Sequence, residues 1–218
     1  MEYTGKMNGG LFMAQVLKEE VRQKILDSAK REFLNHDFEK ASMRKIAKNS
    51  GMTVGNLYRY YVNKEKLFGA LVDKHIERIN DFLKNNAFVN VDLYKLPLND
   101  ELFNINKELA YGRINKVIEL IMDMAMKDNE ELILLLSKSR GYKYGEFKLE
   151  LIGWFGELLK LKLMYEKKTN EFCKEDILYA RSLAKSFVEG ICILIEEYDS
   201  SIDMATLFKK HIELYFFK

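Results

Sequence analysis

The apolar residues of this chain recur every three or four positions over most of its length, which is the spacing of amphipathic α-helices. In the first such segment, residues 18–35, Val21, Ile25, Ala29 and Phe33 fall at four-residue steps and form one stripe. Residues with high helix propensity dominate, and there is only one proline to interrupt them. The pattern therefore predicts an all-α chain.

Two short helices joined by a tight turn are predicted between residues 42 and 61. Ser42 and Thr53 each stand where a side-chain oxygen caps the start of a helix. Gly51, between them, permits the left-handed backbone that ends a helix. Two short helices separated by such a turn are typical of a helix-turn-helix.

A long helix, capped by Asn63, follows this unit, with inward positions at Leu67, Leu71, His75, Ile79 and Phe82. Residues 85–99 contain four asparagines and the only proline, so a loop is predicted there. Further helices are predicted at about 100–127, 129–139, 143–167, 174–198 and 203–217. The expected architecture is a three-helix helix-turn-helix domain at 18–66, joined by the long helix to a helical domain at 67–218.

The first 17 residues are predicted to be an unstructured tail. The first dozen, residues 1–12, are polar, contain several glycines and lack the apolar stretch of a secretory signal. A helical pattern begins soon after Met13, which makes that methionine an alternative start of the protein.

Composition and cysteine usage narrow the class of protein. Apolar residues make up 48% and charged residues 31% of the chain, which is typical of a globular protein. No apolar run approaches the roughly 18 residues that a membrane helix needs. Cys173 and Cys192 are too few for a disulfide framework, so we expect two buried thiols and a cytoplasmic protein without a membrane partner.

The charge is distributed unevenly along the chain. The net charge is +2, but the first 66 residues carry 13 Lys and Arg against 8 Asp and Glu, which gives them +5 and leaves −3 for the rest. A basic end on a mildly acidic body is expected of a protein that meets phosphate groups with one end only.

Motifs of catalysis and metal binding are missing from the sequence. It contains no glycine-rich phosphate loop, no Cys-x-x-Cys pair and no nucleophile elbow. His211-Ile212-Glu213 matches half of a deaminase zinc motif, but no Pro-Cys-x-x-Cys follows it. We therefore predict a protein that is not an enzyme and has no cofactor and no metal.

The geometry of a helix-turn-helix assigns roles within residues 42–64. Its second helix enters the major groove with its N-terminal residues at the base edges. This places Thr53, Val54, Gly55 and Asn56 nearest the DNA, with Tyr58, Arg59 and Tyr60 pointing outward one turn later. Lys64, in the first turn of the next helix, is expected to face a phosphate.

The stretch SMRKIAKNSGMTVGNLYRYYVNKEKLF, with KILDSAKREF before it, resembles the DNA-binding signature of the TetR (TetR/AcrR-type) family of bacterial regulators. The resemblance covers about residues 18–68. It implies DNA contacts at Met43, Thr53, Val54, Gly55, Tyr58, Arg59, Tyr60 and Lys64, with Ser42 and Arg44 beside the phosphate backbone. Members often carry Ser or Lys where Val54 stands, so this helix has one polar contact fewer.

The same resemblance implies a homodimeric repressor of a palindromic operator. The helix at 174–198 has two apolar stripes and the helix at 143–167 is similarly broad, which predicts a four-helix dimer interface between them. The alternative is that both helices are buried within a monomer.

A small-molecule effector, expected to be lipophilic, is also implied by the resemblance. Candidate wall residues between residues 100 and 168 are Tyr111, Met122, Met126, Phe147, Trp154 and Phe155, each of which has an alternative role in a plain core. The effector would shift the helix at about 63–84 and move the two heads apart. The alternative function is a DNA-bound scaffold that recruits a protein partner without an effector.

Overall fold

The computed structural model describes residues 8–86, 112, 115–117, 119–140, 143–169, 171–197 and 203–216. All regular secondary structure in these ranges is α-helical, which confirms the predicted fold class. The helices are α1 (Asn8–Lys40), α2 (Met43–Asn49), α3 (Val54–Tyr60), α4 (Lys64–Asn86), α5 (119–127), α6 (Asn129–Ser137), α7 (Lys143–Lys167), α8 (Lys174–Glu196) and α9 (Met204–Phe216). Residues 112 and 115–117 are also helical, and the loop predicted at 85–99 lies outside the described residues from position 87 onward.

Helix α1 differs from the prediction at both ends. It begins at Asn8, so the expectation of an unstructured tail was wrong for residues 8–17, and residues 1–7 lie outside the described part. Its C-terminal end runs to Lys40 through a kink at Asp37, where φ is 57° and ψ is 168°. The predicted interruption at 35–40 is therefore a single non-helical residue within a longer helix.

Helices α1 to α4 form the N-terminal head around one apolar cluster. The stripe expected on α1 points inward, since Ile25, Ala29 and Phe33 are completely buried. The ring of Phe33 meets that of Phe68 edge to face at 4.9 Å, which joins α1 to the first turn of α4. Such aromatic pairs add about 0.5–1.5 kcal/mol beyond the burial of their surface.

The connecting helix α4 buries the stripe that its sequence predicted. Leu67, Leu71, His75 and Ile79 are all buried, and they fall at four-residue steps along the helix. Its N-terminal turns pack in the head, and its later turns pack on α6. The helix therefore belongs to both parts of the chain.

Helices α7, α8 and α9 form the core of the body. Phe187 of α8 lies 4.6 Å from Phe155 of α7 and 5.2 Å from Phe216 of α9, measured between ring centroids. Phe187 belongs to one of the two apolar stripes that the sequence places on α8, and α9 of the same chain covers it.

The two cysteines have different environments. Cys192 is buried as predicted, and burial is the largest of the causes that raise the pKa of its thiol. Cys173 is exposed, contrary to the prediction, because it lies just before α8, where its N–H donates to Asp176 Oδ2 at 3.3 Å. Within the described ranges, no helix combines the length and apolar character needed to span a bilayer.

Candidate nucleic-acid interface

The start of α2 is held to α1 by a buried carboxylate. Ser42 caps the helix as predicted, since its Oγ accepts a hydrogen bond of 3.4 Å from the N–H of Lys45. The N–H of Ser42 in turn donates to Oε1 of Glu32 at 3.0 Å, and Glu32 is only 6% exposed. Sequence reasoning missed Glu32, because its spacing on α1 does not reveal that it reaches the end of another helix.

The turn between α2 and α3 has the conformation that its glycine predicted. Gly51 has a φ of 75°, in the region that favours glycine. The carbonyl of Ile46 accepts hydrogen bonds from the hydroxyls of Ser50, at 2.8 Å, and Ser28, at 3.0 Å. The turn is thus tied both to α2 and to α1, which fixes the direction in which α3 leaves it.

Helix α3 presents a polar face and buries a single anchor. Oγ1 of Thr53 accepts a hydrogen bond of 3.2 Å from the N–H of Asn56, which confirms the predicted cap. Leu57 is completely buried, and it orients the short helix. The residues left exposed around it are Thr53, Gly55, Asn56, Tyr58 and Arg59.

Two residues predicted on this face are less exposed than expected. Tyr60 and Val54 are half-buried and pack against the core of the head. Tyr60 therefore does not point fully outward. It lies three residues after the buried Leu57, and residues three apart share one face of a helix. Met43 is likewise half-buried, whereas Arg44 is exposed.

Two open grooves border the start of α3. The first, with a volume of about 510 Å³, lies between α2 and α3 and includes Arg44 and Lys48 among its lining residues. The second, with a volume of about 730 Å³, lies between α1 and α3 and includes Arg22 and Arg59. The exposed residues of α3 are thus surrounded by positive charge, which suits a polyanion.

Lys64 is placed differently from the other predicted contacts. Its ammonium group donates to the carbonyl oxygens of Glu39, at 3.0 Å, and Ala41, at 3.3 Å. It also lies 4.8 Å from the centroid of the Phe38 ring. The ammonium group thus satisfies carbonyls at the end of α1, where a positive charge is favourable.

The candidate wall residues of an effector site differ in their exposure. Met126 is 65% exposed, whereas Phe147 and Phe155 are buried. Trp154 and Met122 are half-buried at the edge of the core, and Tyr111 lies outside the described residues. Phe155 is a core residue of the body, packed between the rings of Trp154 and Phe187.

Two buried polar side chains, whose surroundings the sequence did not predict, lie where α4 meets the start of α6. Nε2 of His75 and Oδ1 of Asn129 are both buried, and within the described part of the chain neither has a hydrogen-bond partner. Nδ1 of His75 lies 3.9 Å from Oδ2 of Asp128. Burial lowers the pKa of His75, so its imidazole is neutral near pH 7.

Residues 25–71 match the sequence family described as "Bacterial regulatory proteins, tetR family". Over these residues the chain is similar to the TetR family of bacterial regulatory proteins. The match covers α2, α3, most of the head part of α1 and the first turns of α4, which are the elements that build the polar face.

Curated relatives match over the same region. The chain is 34% identical over 70 residues to the HTH-type transcriptional repressor AcnR of Corynebacterium efficiens, covering 32% of this chain and 37% of AcnR. It is 26% identical over 121 residues to the HTH-type transcriptional regulator UidR of Escherichia coli K12, covering 54% of this chain and 58% of UidR. The chain thus aligns with only about two fifths to three fifths of the length of these relatives.

Solved structures are similar over nearly the whole chain. A TetR-like transcriptional regulator from Rhodococcus sp. RHA1 has a TM-score of 0.56 at 17% identity, covering 89% of this chain and 93% of that one. AibR, solved in complex with isovaleryl coenzyme A and operator DNA, has a TM-score of 0.54 at 15% identity, covering 90% and 98%. At these identities the similarity shows that this chain shares the fold of those proteins, and nothing further.

Proposed function

We propose that this protein is a bacterial transcriptional repressor that binds a palindromic operator through α3. The observation that carries the proposal is the exposed polar face of α3, fixed by its two capped helices and surrounded by basic residues. Such a unit places the N-terminal end of its second helix against the base edges of the major groove. This function belongs to the bacterial cytoplasm, where the DNA is, and it requires no catalysis.

The individual side chains on this face suit different contacts. Arg59 is exposed and able to pair with a guanine in bidentate fashion, which discriminates against a wrong base by about 1–3 kcal/mol. Tyr58, 45% exposed, has a hydroxyl group suited to a phosphate or base edge. Gly55 has open space around the position of a Cβ, so the helix backbone itself can approach the duplex.

The operator experiment compares DNA fragments from the region upstream of the protein's own gene by fluorescence anisotropy. We expect tight binding to one palindromic segment, weakened about 5- to 150-fold by Arg59→Ala and by Tyr58→Ala, because each removes a contact of about 1–3 kcal/mol. Lys210→Ala, at an exposed position of α9, is the matched control and should bind like the unmodified protein. Equal binding of all duplexes by every variant would contradict sequence reading by α3.

We also propose a homodimer formed through α7 and α8. Leu149 of α7 is 65% exposed, and Leu178 and Ile193 of α8 are 69% and 60% exposed. Leu178 and Ile193 are separated by about 60° around the helix, at about 100° per residue, so they share one face. A dimer is required to place two heads on two half-sites about 34 Å apart.

The dimer experiment is sedimentation of charge variants. Leu178→Glu with Ile193→Glu should convert the protein to monomers, because burying two unpaired carboxylates in an interface is strongly unfavourable. Leu214→Glu on α9, where the leucine is 57% exposed, is the matched control and should remain dimeric. The opposite result would move the interface to α9.

We propose further that the body binds a small lipophilic effector that weakens DNA binding. Support comes from AibR, a protein of similar fold that was solved with both isovaleryl coenzyme A and operator DNA. Trp154 is the only tryptophan and is half-buried, so its fluorescence reports binding in the body directly. Titration of acyl-coenzyme A thioesters of increasing chain length should shift its emission and reduce operator affinity together.

The scaffold alternative predicts a different outcome of the same titration. A scaffold would bind its DNA with the same affinity in the presence and absence of every ligand tested. The emission wavelength of Trp154 would also stay unchanged. A protein partner would then be expected to bind the exposed apolar residues of α8.

A further inference from the structure

A basic groove on the α1 side of the head is not explained by the contacts assigned to α2 and α3. Its charged lining residues are Lys18, Arg22 and Lys24 of α1 and Arg59 of α3. The remaining lining residues are uncharged: Val21, Ser50, Gly51, Met52, Asn56 and Tyr60. Four cations and no carboxylate therefore surround one open space of about 730 Å³.

Two of these cations, Lys18 and Arg22, lie on one face of α1. Because α1 begins at Asn8, Lys18 and Arg22 lie well inside the helix and not at a fraying end. They are four residues apart, so they share one face with Val21 between them. Arg22 also lies close enough to α3 to act on Tyr61, where its charge opposes the rise in the pKa of Tyr61 that burial causes.

The position of the groove relates it to the proposed recognition helix. It shares Gly51, Met52 and Asn56 with the groove on the α2 side, which contains Arg44 and Lys48. The two grooves therefore lie on either side of the start of α3. A helix in the major groove, about 12 Å wide, has one phosphate strand on each side of it.

We propose that the α1-side groove binds the phosphodiester backbone of the DNA strand opposite to the one that meets α2, with Lys18 and Arg22 as its phosphate contacts. The proposal rests on the proposed function, because it needs α3 to lie in the major groove. Phosphate contacts carry no sequence information, so these two residues set the affinity and its salt dependence for any duplex.

The test measures binding to a random-sequence duplex by fluorescence anisotropy between about 50 and 200 mM salt, a range over which ionic contacts dominate affinity. The unmodified protein is compared with Lys18→Ala/Arg22→Ala. Both residues are exposed, and in the described part of the chain neither caps a helix. Thermal unfolding checks that the variant is folded. The control is Lys209→Ala/Lys210→Ala. It removes two positive charges as well, from exposed positions of α9 in the body.

Each lost phosphate contact lowers the slope of log affinity against log salt by about 0.9, so the α1 variant should lose about 1.8 per bound head. Its affinity near 0.1 M salt should fall on the order of tens-fold, while the α9 control keeps both slope and affinity. An α1 variant that behaves like the unmodified protein, or no differently from the α9 control, would overturn the proposal and leave the proposed function standing. If the unmodified protein binds no duplex at all, both are overturned.

Discussion

The contacts of Lys64 lead to a prediction that separates a structural role from DNA binding. Lys64→Met keeps most of the aliphatic stem and removes the charge. The ammonium donates two hydrogen bonds to carbonyls at the end of α1 and lies over the Phe38 ring. All of these contacts hold α4 to the kinked end of α1, so their loss should destabilise the head.

The size of the effect follows from the half-buried position of Lys64. Hydrogen bonds to a charged group contribute about 1.5–3 kcal/mol, and an exposed cation–π contact contributes about 0.5–1 kcal/mol. Partial exposure reduces these values, so we expect a net loss of about 2 kcal/mol. For a chain of this length that lowers Tm by about 4–8 °C.

Two assays on the same variant test this reasoning. Thermal unfolding by circular dichroism should show the lower Tm for Lys64→Met and no change beyond about 0.5 kcal/mol for Lys66→Met, an exposed neighbour on α4. Salt titration of DNA binding, well below Tm, should give a slope close to that of the unmodified protein. An unchanged Tm together with a slope reduced by about 0.9 would refute the structural role and restore the phosphate contact predicted from sequence.

Further substitutions at four positions test other parts of the structure. Asp37→Gly should raise the free energy of unfolding in urea by about 1 kcal/mol, since it relieves a positive φ that costs about 1–3 kcal/mol, whereas Asp37→Ala should lower it. Because burial lowers the pKa of His75, the unfolded chain binds a proton that the folded chain excludes, so stability should fall as pH drops below about 6.5. The slope should reach at most about 1.4 kcal/mol per pH unit, and His75→Leu should remove it. Gly190→Ala should destabilise by about 1–3 kcal/mol, because its Cβ would lie 2.2 Å from Cε1 of His211, whereas Gly153→Ala on α7, with open space around it, should stabilise by up to about 1 kcal/mol in the monomer.

The pH prediction for His75 depends on all the charges that face it. Asp128 and Glu131 favour the imidazolium form, whereas Lys74 and Arg78 oppose it. Burial is the largest of the causes, and the resulting pKa is lower than the ordinary value. A pH profile unchanged by His75→Leu would show that the carboxylates compensate fully for burial.

Local features of the head were predictable from sequence because their causes are local. The caps at Ser42 and Thr53 and the left-handed Gly51 each depend on a few neighbouring residues. The buried stripe of α4 followed from its period alone. Glu32 and the carbonyl contacts of Lys64 were missed, because their partners are carbonyl and N–H groups of other elements that no spacing rule identifies.

The body was less predictable for a related reason. Two apolar stripes on α8 show that the helix has two partners, but they do not say whether the second belongs to the same chain. In the structure α9 covers Phe187, whereas Leu178 and Ile193 are among the exposed apolar residues of α8 and lie on another face. Periodicity thus indicates that α8 has more than one contact face, but it does not identify the partner of each face.

The described contacts between head and body are not confined to α4. The N–H of Phe38, at the kink of α1, donates to the carbonyl oxygen of Lys138 at 2.8 Å, just after α6. At the other end of α6, Glu131 lies 2.8 Å from the ammonium of Lys30 on α1. A displacement of α6 would therefore act on the head through α1 as well as through α4.

A third contact joins the body to α4 itself. Oη of Tyr144 on α7 donates to Oδ1 of Asp73 at 2.8 Å, and the ring of Tyr144 lies 5.2 Å from that of Phe68. A Cβ on Gly69 would clash with the same Oη and with Oδ2 of Asp73, so a larger residue there would displace the side chains that make this contact. Contacts of this kind contribute about 1 kcal/mol each, and allosteric coupling is typically about 1–3 kcal/mol. An effector in the body needs to break only one or two of them to change the position of the head, so the proposed signal is within reach of an ordinary small ligand.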